Sequence, residues 1–533
     1  MIITKSRRAS LAPYKPYPLQ QLLQRTARRL PNKVAVIDGQ RRFTYQQLDT
    51  YSDRLAAALA TLGVAKGDRV GLLSPNCVEF VIAFYGILKA GAVACTVNSG
   101  YHEREIAYQL CDSGAKVLIV HQALRQVAEL ARSEAPELKH LIAIAETADE
   151  VASFWSLIEH APQIPVGVVI APQADLAVLP YSSGTTGLPK GVMLTHFNLT
   201  SNVKQFLEYG EEAKSFREED VILVHLPLFH IYGMNVLMNG AIAIGATQVM
   251  MGRFDLEHFL KLLSQHQVSV LCTVPPVGLV LTQAPDVSKY DLTALRIGFC
   301  GAAPLSASLQ QKLQDTLKVP IIQGYGLTET SPYANCDFAE SELSRPGSVG
   351  PAAPDTEEKV VDLETGRTEV APGEIGELLI RGPQVMQGYF NNPQATAATI
   401  TESGWLHTGD IVRRDEDGYV WILDRQKEMI KYKGFQVSPA ELEGLLLEHP
   451  AVADVAVIGK SEPESGEIPK AFVVCKQESQ VSELELLRFV ARQVATFKQI
   501  RQIEFVDAIP KNPSGKILRR VLIEKERAKG LNL

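Results

Sequence analysis

An alternation of helix-like and strand-like segments constrains the fold of this chain most strongly. Residues 45–62 carry a helical pattern, residues 69–73 form an apolar strand-like run, residues 78–90 again suit a helix, and residues 93–97 form a second apolar run. This alternation is typical of parallel sheets covered by helices. Similar strand-like runs recur further along the chain, at 176–179, 221–226, 248–251 and 268–274. The sequence therefore predicts the α/β class.

The length and the later texture of the sequence indicate more than one domain. A chain of 533 residues exceeds what one hydrophobic core usually organises. After about Pro372 short strands alternate with Gly-Pro and Asp-Gly turns. Beyond Asp424 the pattern changes again and predicts helices at 439–448 and 482–494 and strands at 452–458 and 471–476. We predict a large N-terminal domain (1–423) of several subdomains, with mixed sheets and a β-rich portion, and a small mobile α+β C-terminal domain (424–533).

Composition and charge exclude several classes of protein. A net charge of −7 without a basic stripe argues against nucleic-acid binding, and 46% apolar residues are typical of a packed globular protein. Residues 1–14 lack the apolar stretch of a signal peptide, and the longer apolar runs are broken by Lys89 or by Pro275 and Pro276, so we expect neither secretion nor a transmembrane helix. The seven cysteines are scattered without a C-x-x-C pair and are interpreted as buried thiols without a zinc site. We expect a cytoplasmic monomer or homodimer.

The strongest chemical signal is YSSGTTGLPKG at residues 181–191. Glycines let backbone N–H groups approach phosphate oxygens, hydroxyl groups add donors, and a lysine supplies a positive charge. The spacing differs from a Walker A loop, because Gly191 follows Lys190 where a Ser or Thr would be required, and this disfavours a P-loop NTPase. A flexible surface turn is the alternative. Eleven consecutive residues of this kind favour phosphate binding by Ser182, Ser183, Gly184, Thr185, Thr186 and Lys190.

Four further motifs follow in order along the chain. They are QGYGLTET at 323–330, GWLHTGD at 404–410, DRQKEMIKYKGFQVSPAELE at 424–443 and PKNPSGKILRR at 510–520. With the glycine-rich loop they span most of the chain and resemble the motif set of the adenylate-forming superfamily. That superfamily includes acyl-CoA and aryl-CoA synthetases, adenylation domains of nonribosomal peptide synthetases, and beetle luciferases. PLFHIYGM at 227–234 and GAAPL at 301–305 are most similar to 4-coumarate:CoA ligases and their fatty-acyl-CoA synthetase relatives.

The resemblance implies a nucleotide site. In the family a carboxylate attacks the α-phosphate of ATP and expels pyrophosphate, so cations and magnesium have to neutralise charge. By resemblance Thr328 contacts the α-phosphate, and Glu329 with Ser182 holds Mg²⁺. Taken alone, Glu329 could be an acid at a helix start, Asp410 part of an ordinary turn, and Tyr325 a core aromatic. The resemblance assigns the adenine, ribose and remaining AMP contacts to Gln323, Gly324, Tyr325, Asp410, Arg425, Lys427 and Lys431.

The resemblance also names the residues of the reacting centre. A lysine in a basic tail is usually a solvated charge, but here Lys516 is implied to bridge the carboxylate and the α-phosphate, and it is the principal catalytic candidate. His230, otherwise a core histidine, would gate or orient the acyl carboxylate and the thiol. Arg253 stands where relatives carry lysine for a CoA phosphate, which preserves charge but changes geometry. The acyl pocket is expected at Tyr232 and Ala302, and the other CoA contacts at Lys433 and Gly434.

Two poses of the C-terminal domain follow from the same resemblance. After pyrophosphate leaves, rotation about Asp424 would withdraw Lys516 and present residues 431–436, which would open a tunnel for the CoA thiol. Such gating is a rigid-body hinge motion. Asp424 is therefore the predicted hinge.

The resulting hypothesis is an ATP-dependent acyl-CoA synthetase that forms acyl-AMP and then acyl-CoA, using ATP, Mg²⁺ and coenzyme A. A medium- or long-chain fatty acid is the expected substrate, because residues 330–333 resemble fatty-acyl relatives, although HIYG at 230–233 also occurs in aryl-CoA ligases. The alternatives are a 4-coumarate-like aryl-CoA ligase and an enzyme that loads a carrier protein. Residues 231–234 lack the acid that would recognise an α-amino group, which disfavours the last of these.

Overall fold

An eight-stranded sheet organises the N-terminal part of the chain in the computed structural model. The model describes residues 8–145, 152–162, 167–182, 188–208, 215–425, 428–432, 435–462, 465–476, 479, 481–512 and 515–530. Inner strand pairs of this sheet are parallel, and the outermost strand at each end is antiparallel to its neighbour. The strands lie in the spatial order Tyr333–Cys336, Ile321–Gly326, Ile297–Cys300, Val270–Thr273, Val221–Val224, Thr247–Met250, Val34–Asp38 and Arg41–Thr44.

A second sheet of seven strands packs nearby. It is parallel except for its first, short strand, which is antiparallel to its neighbour. Helix Val78–Lys89 is buried along all 12 of its residues, because it packs among residues of both sheets. Its nearly uninterrupted apolar sequence follows from burial on every side. The strands are Leu194–Thr195, Leu176–Val178, Val93–Val97, Arg69–Leu73, Val117–His121, His140–Ile144 and Ala152–Ser153.

The other helices cover these sheets, and several begin at side-chain caps. Thr44 and Gln47 form a capping box at the start of helix Tyr45–Thr61. Tyr232–Asn239 is a π-helix, a form often found at functional sites. Short 3₁₀ turns lie at Gln122–Leu124, Val287–Lys289 and Thr328–Thr330. The remaining helices are Gln21–Arg29, Glu103–Ser113, Arg125–Arg132, Phe154–His160, His196–Leu207, Gly240–Ile244, Leu256–Gln265, Pro275–Gln283, Ala307–Leu317 and Pro393–Thr399.

An antiparallel four-stranded sheet follows the two parallel sheets in the chain. Its strands are Glu357–Val361, Ile375–Arg381, Leu406–Arg414 and Val420–Arg425. This sheet corresponds to the predicted β-rich portion, but it begins earlier than the texture change near Pro372. A separate hairpin pairs Tyr181–Ser182 with Lys190–Gly191.

The C-terminal part has its own sheet and hydrophobic core. Helices Pro439–Glu448, Glu483–Ala491 and Arg519–Gly530 and the 3₁₀ turn Thr496–Lys498 accompany this sheet. Buried residues such as Leu442, Val457 and Leu486 form the core. A boundary at Asp424 stays a prediction. The five strands are Phe435–Val437, Ile430–Tyr432, Gly466–Cys475 and Val452–Glu462, with Gln502–Phe505 parallel to Gly466–Cys475.

The predicted α/β class is confirmed, and most predicted elements agree with the structure to within a few residues. The expectation that all seven cysteines are buried is wrong for two of them. Cys111 is exposed on a surface helix, where its thiol donates to the Glu134 carbonyl, and Cys475 is half-buried. Among the described residues, no helix is both long and apolar enough to cross a bilayer.

Candidate active site

A cavity of about 520 Å³ lies where the eight-stranded sheet meets the four-stranded sheet and the C-terminal part. Its wall includes the carboxyl ends of strands Ile297–Cys300 and Ile321–Gly326, the position where open α/β sheets usually bind ligands. The cavity brings together eleven of the predicted site residues, namely Ser182, Lys190, His230, Tyr232, Ala302, Gly324, Tyr325, Thr328, Glu329, Arg425 and Lys516.

Ser182 and Lys190 lie opposite each other in the short hairpin at one end of the cavity. The Ser182 hydroxyl donates to Glu329 Oε1 at 3.1 Å, and the Tyr389 hydroxyl donates to the same oxygen at 2.9 Å. Lys190 Nζ lies 4.8 Å from the centroid of the Tyr389 ring. A cation, hydroxyl groups and a carboxylate thus lie together at one end of the cavity. Such a set can bind a polyphosphate together with a hard metal cation. The other loop residues, Ser183, Gly184, Thr185 and Thr186, lie outside the described residues.

Thr328 and Glu329 project from a tightly held 3₁₀ turn. The Thr330 hydroxyl closes this turn by donating to the Pro332 carbonyl at 2.6 Å. The chain can approach itself so closely only because residue 326 is glycine, since a Cβ there would lie 1.8 Å from the Pro332 oxygen. The turn is therefore rigid, and both functional side chains face the cavity.

Asp410 is buried behind the cavity wall and accepts a short hydrogen bond from the Tyr325 hydroxyl. Arg425 Nε lies 3.1 Å from the other Asp410 oxygen. Burial raises the pKa of Asp410, and the Arg425 guanidinium opposes this shift. Gln323 lies in the same strand as Tyr325 and is buried behind the wall. The arrangement offers a carboxylate and a guanidinium to a polyol such as ribose.

Glu377 and His407 also line the cavity, and together they hold the irregular part of strand Leu406–Arg414 that carries Asp410. Glu377 Oε1 accepts from the Gly409 backbone N–H at 2.9 Å, while its Oε2 lies 2.9 Å from His407 Nδ1. The Thr408 hydroxyl donates to the Leu378 carbonyl at 2.7 Å. Neighbouring strands thus position Asp410 through side-chain contacts.

Lys516 reaches the cavity from the C-terminal part. Asn512 fixes its backbone, since Asn512 Oδ1 accepts from Lys516 N at 2.8 Å and Asn512 N donates to Lys516 O at 2.9 Å. Removal from water, together with the nearby Arg425 charge, lowers the pKa of Lys516 to about 8. Three residues later, Arg519 donates two hydrogen bonds to Glu443, at 2.8 and 2.6 Å, which ties the segment to its own domain.

His230 lies on the cavity wall between Phe229 and the π-helix. Burial lowers the pKa of His230 to about 4, and the Lys516 charge acts in the same direction. The imidazole is therefore neutral near pH 7. Its Nδ1 accepts from the Tyr232 backbone N–H at 3.3 Å, which leaves Nε2 as the N–H of the neutral ring.

Aromatic side chains enclose the far end of the cavity. Phe206 packs edge-on against Phe299 and Tyr333, with ring centroids 5.5 and 5.8 Å apart. The Tyr232 hydroxyl donates to the Phe299 carbonyl at 3.3 Å, so this ring is fixed as well. Ala302 lies nearer the mouth, with a positive φ of 69°. The buried Phe206, Phe299 and Tyr333 leave an apolar, closed end.

The structure does not bring every predicted residue to the cavity. Arg253 is exposed on a loop, and Lys431 is exposed on strand Ile430–Tyr432, away from the cavity wall. The predicted hinge Asp424 is buried near the end of its strand, where its Oδ2 accepts from the Ser438 hydroxyl at 2.7 Å. Lys427, Lys433 and Gly434 lie outside the described residues.

Sequence reasoning missed Tyr389, Glu377 and His407. His407 stands inside GWLHTGD, where the ribose assignment drew attention to Asp410 alone. Glu377 occupies an alternating strand and reads as an ordinary surface acid. Tyr389 follows Gln387 and Gly388 without any chemical pattern. Tyr389 lies near the hairpin because its backbone pairs with that of Val192, and no pattern in the sequence predicts this pairing.

The chain matches two family models. The model described as AMP-binding enzyme covers residues 23–390, and the model described as AMP-binding enzyme C-terminal domain covers residues 441–516. A curated relative, 4-coumarate–CoA ligase of Pinus taeda, is 43% identical over 93% of this chain and 93% of its own.

Two solved structures share the whole architecture. An anthranilate CoA ligase in complex with anthranoyl-AMP has a TM-score of 0.90 and 31% identity, covering 97% of this chain and 98% of its own. A benzoate CoA ligase from Burkholderia xenovorans has a TM-score of 0.85 and 29% identity, covering 95% of this chain and all of its own.

The chain belongs to the AMP-binding enzyme family, the adenylate-forming superfamily. Within it, the chain is an AMP-forming CoA ligase similar to 4-coumarate–CoA ligases, and the use of ATP and CoA follows from this membership.

Proposed function

We propose that this CoA ligase acts on a flat aryl carboxylic acid of the 4-coumarate class. The closed aromatic end of the cavity carries the proposal. Phe206 packs there in T-shaped contacts against Phe299 and Tyr333, and a planar ring packs well against such fixed aromatic side chains. The expectation of a medium- or long-chain fatty acid stays unconfirmed, and the aryl alternative has better support from the similarity to 4-coumarate–CoA ligases.

For the nucleotide we propose that Ser182 and Lys190 contact the β- and γ-phosphates and Thr328 the α-phosphate. Adenine would stack along Gly324 and Tyr325, next to the Asp410 and Arg425 pair, which would receive the ribose hydroxyls. The support is that these groups line one cavity, apart from Asp410, which lies behind its wall in contact with Arg425. Contacts of Gln323, Lys427 and Lys431 with AMP remain predictions.

Glu329 fits a magnesium site that is completed by substrate. Mg²⁺ in nucleotide enzymes is often held by one or two carboxylates plus phosphate oxygens. In the described part of the chain, no three His, Cys, Asp or Glu side chains cluster as a metal cage, so a single carboxylate beside the Ser182 hydroxyl suits this mode. When bound, the ion would neutralise charge on the polyphosphate. The Tyr389 hydroxyl would orient the carboxylate.

In the proposed first step, a carboxylate oxygen of the acid attacks the α-phosphorus of ATP and pyrophosphate leaves. The Lys516 ammonium would lie between the carboxylate and the α-phosphate, where it orients the attack and offsets negative charge. Neutral His230 faces the same space and can donate one N–H to the carboxylate without adding another charge beside Lys516.

In the proposed second step, the CoA sulfur attacks the acyl carbon and AMP leaves, while the thiol proton passes to solvent. Lys516 has to withdraw first, so we propose rotation of residues 424–533 about Asp424. The C-terminal part carries its own core, and Asp424 is bonded to Ser438 and to the Ala440 N–H by side-chain contacts that a rotation can exchange. Roles of Arg253, Lys433 and Gly434 in CoA binding remain predictions.

A panel of acids tests the substrate proposal. Pyrophosphate release and thioester formation are measured with 4-coumarate, cinnamate, benzoate, octanoate and palmitate, each with and without CoA. The proposal expects the highest kcat/KM for 4-coumarate or cinnamate. Phe206→Ala, which removes one ring of the closed end, should raise octanoate relative to cinnamate. A parental preference for octanoate or palmitate would refute the aryl assignment.

A further inference from the structure

An arginine from the N-terminal arm, residues 8–14, penetrates to the back of the acyl end of the cavity. Arg8 is only 8% exposed. Its Nη1 donates to the Tyr333 hydroxyl at 3.1 Å, and its Nη2 donates to the Cys336 carbonyl at 2.7 Å. A further bond joins Nη1 to the Pro351 carbonyl at 3.2 Å. The guanidinium thus contacts residues that are more than 300 positions away in the chain.

Tyr333 and Cys336 are the two ends of one four-residue strand, and both line the cavity. One planar guanidinium therefore holds this strand at both ends from behind. The fork of Arg fixes directions as well as distances, which a lysine ammonium cannot do. Since the Tyr333 ring packs against Phe206, the position of Arg8 is transmitted to the aromatic wall of the acyl end.

Two buried carboxyl groups, those of Asp337 and Glu358, lie close enough to Arg8 to be affected by its charge. Burial raises the pKa of Asp337 and raises that of Glu358 to about 7, and in both cases the Arg8 charge acts in the opposite direction. The guanidinium also lies 4.8 Å from the centroid of the Phe338 ring. A buried guanidinium is tolerated when its N–H groups are hydrogen-bonded, as those of Arg8 are to Tyr333, Cys336 and Pro351.

A second anchor holds the arm to the same part of the fold. Asp355 accepts from the Leu11 backbone N–H at 2.8 Å and from the Tyr14 hydroxyl at 2.8 Å. Lys204, which lies in the same helix as Phe206, donates to the Leu11 carbonyl at 2.8 Å. The arm is therefore attached on two sides of the acyl end, at Asp355 and at the helix that carries Phe206.

We propose that Arg8 is a positioning residue for acyl specificity, which holds the Tyr333 ring so that the aromatic wall of the acyl end keeps its shape. This inference rests on the proposed function. Without Arg8, the Tyr333 ring and its strand would be held less firmly, and the aromatic wall of the acyl end would no longer have one fixed shape. The affinity for short flat acids would then fall relative to the affinity for longer, flexible acids. Arg8 contacts none of the groups proposed to bind nucleotide, although strand Tyr333–Cys336 pairs with the strand of Gly324 and Tyr325. Binding of ATP should therefore change less than binding of the acid.

The test compares Arg8→Met, Arg8→Lys and Tyr333→Phe with the parental enzyme. Arg8→Met keeps the length without donors, and Tyr333→Phe keeps the ring without the hydroxyl. We expect Arg8→Met to raise KM for the best aryl acid by about tenfold, the effect of losing one or two charge-assisted hydrogen bonds. The octanoate-to-aryl ratio of kcat/KM should rise, while KM for ATP changes by less than about twofold. Arg8→Lys should recover only part of the loss.

Two controls separate positioning from folding. Arg28→Met changes an exposed arginine of helix Gln21–Arg29 and should leave all parameters unchanged. Asp355→Ala loosens the other anchor of the arm and should shift the acid KM in the same direction as Arg8→Met. In a double-mutant cycle, Tyr333→Phe should add little to Arg8→Met, because Arg8→Met already removes the contact between the guanidinium and the Tyr333 hydroxyl.

Each outcome decides the inference. If acid KM and the octanoate-to-aryl ratio do not move in Arg8→Met and Tyr333→Phe, the inference is wrong. It is also wrong if KM for ATP and KM for the acid rise together with a lower melting temperature, since the role is then structural only. Should the parental enzyme prefer a fatty acid, the aryl proposal fails separately, and Arg8 is judged on the acid that the parental enzyme does use.

Discussion

Replacing Lys516 with alanine should separate the two half-reactions. The structure places this side chain in the cavity, whereas its backbone is held by Asn512 and its segment by Arg519. Truncation should therefore remove one cation and leave the segment in place. We expect adenylate formation from acid and ATP to fall strongly, while thioester formation from supplied acyl-AMP is largely spared, because the lysine serves only the first pose.

The size of the effect follows from the charges that remain. Lys190 and Arg425 still line the cavity, so the variant loses one of the three lysine and arginine side chains that line it within the described residues. A unit charge about 4 Å from a phosphate oxygen, at an effective dielectric constant of about 20, contributes about 4 kcal/mol. Removing one preorganised donor from a transition state typically lowers kcat by about 10²–10³-fold. We therefore expect adenylation to slow by about 10²–10³-fold.

The assay measures pyrophosphate release for the first step and CoA thioester formation from synthetic acyl-AMP for the second. Lys511→Ala is the matched control, because Lys511 lies five residues earlier and pairs with Asp454 at 2.6 Å instead of lining the cavity. This control should behave like the parental enzyme in both steps. Equal loss of both half-reactions in Lys516→Ala, or loss in the Lys511→Ala control, would refute the assigned role.

Three other perturbations test the same site. Because removal from water holds the pKa of Lys516 at about 8, its ammonium group is lost as pH rises above this value. The kcat/KM for adenylation should therefore fall above about pH 8. A profile that stays flat to about pH 10, where an ordinary lysine titrates, would contradict this. Glu329→Gln should raise the magnesium concentration required for activity and leave the circular dichroism spectrum unchanged. Tyr389→Phe should raise this requirement more weakly. An unchanged magnesium dependence would count against the metal site. Asp424→Pro fixes φ at about −65° and should spare adenylation more than thioester formation. Asp424→Ala is the control for the lost carboxylate. Parental rates of acyl-CoA formation in the proline variant would show that no rotation about Asp424 is needed.

Much of the fold was predictable because its signals are local. Strands Arg69–Leu73 and Val93–Val97 and helix Pro439–Glu448 lie where hydrophobic pattern and turn residues predict them. The catalytic motifs were also recognisable, since a phosphate loop needs its glycines, hydroxyls and lysine within a few residues. For such features the relevant residues are neighbours in the chain, and the sequence alone determined them.

The tertiary structure decided what distant residues do together. Sequence pattern predicts a polyphosphate loop, but it does not predict that the Tyr389 hydroxyl binds Glu329 or that Glu377 and His407 hold the strand of Asp410. The contact between Arg8 and Tyr333 spans 325 positions. Such contacts depend on how separate sheets pack against each other, and no local periodicity records that packing. The motifs of this ligase therefore predict its nucleotide chemistry. The shape of its acyl end depends on how the aromatic side chains pack, which only the tertiary structure shows.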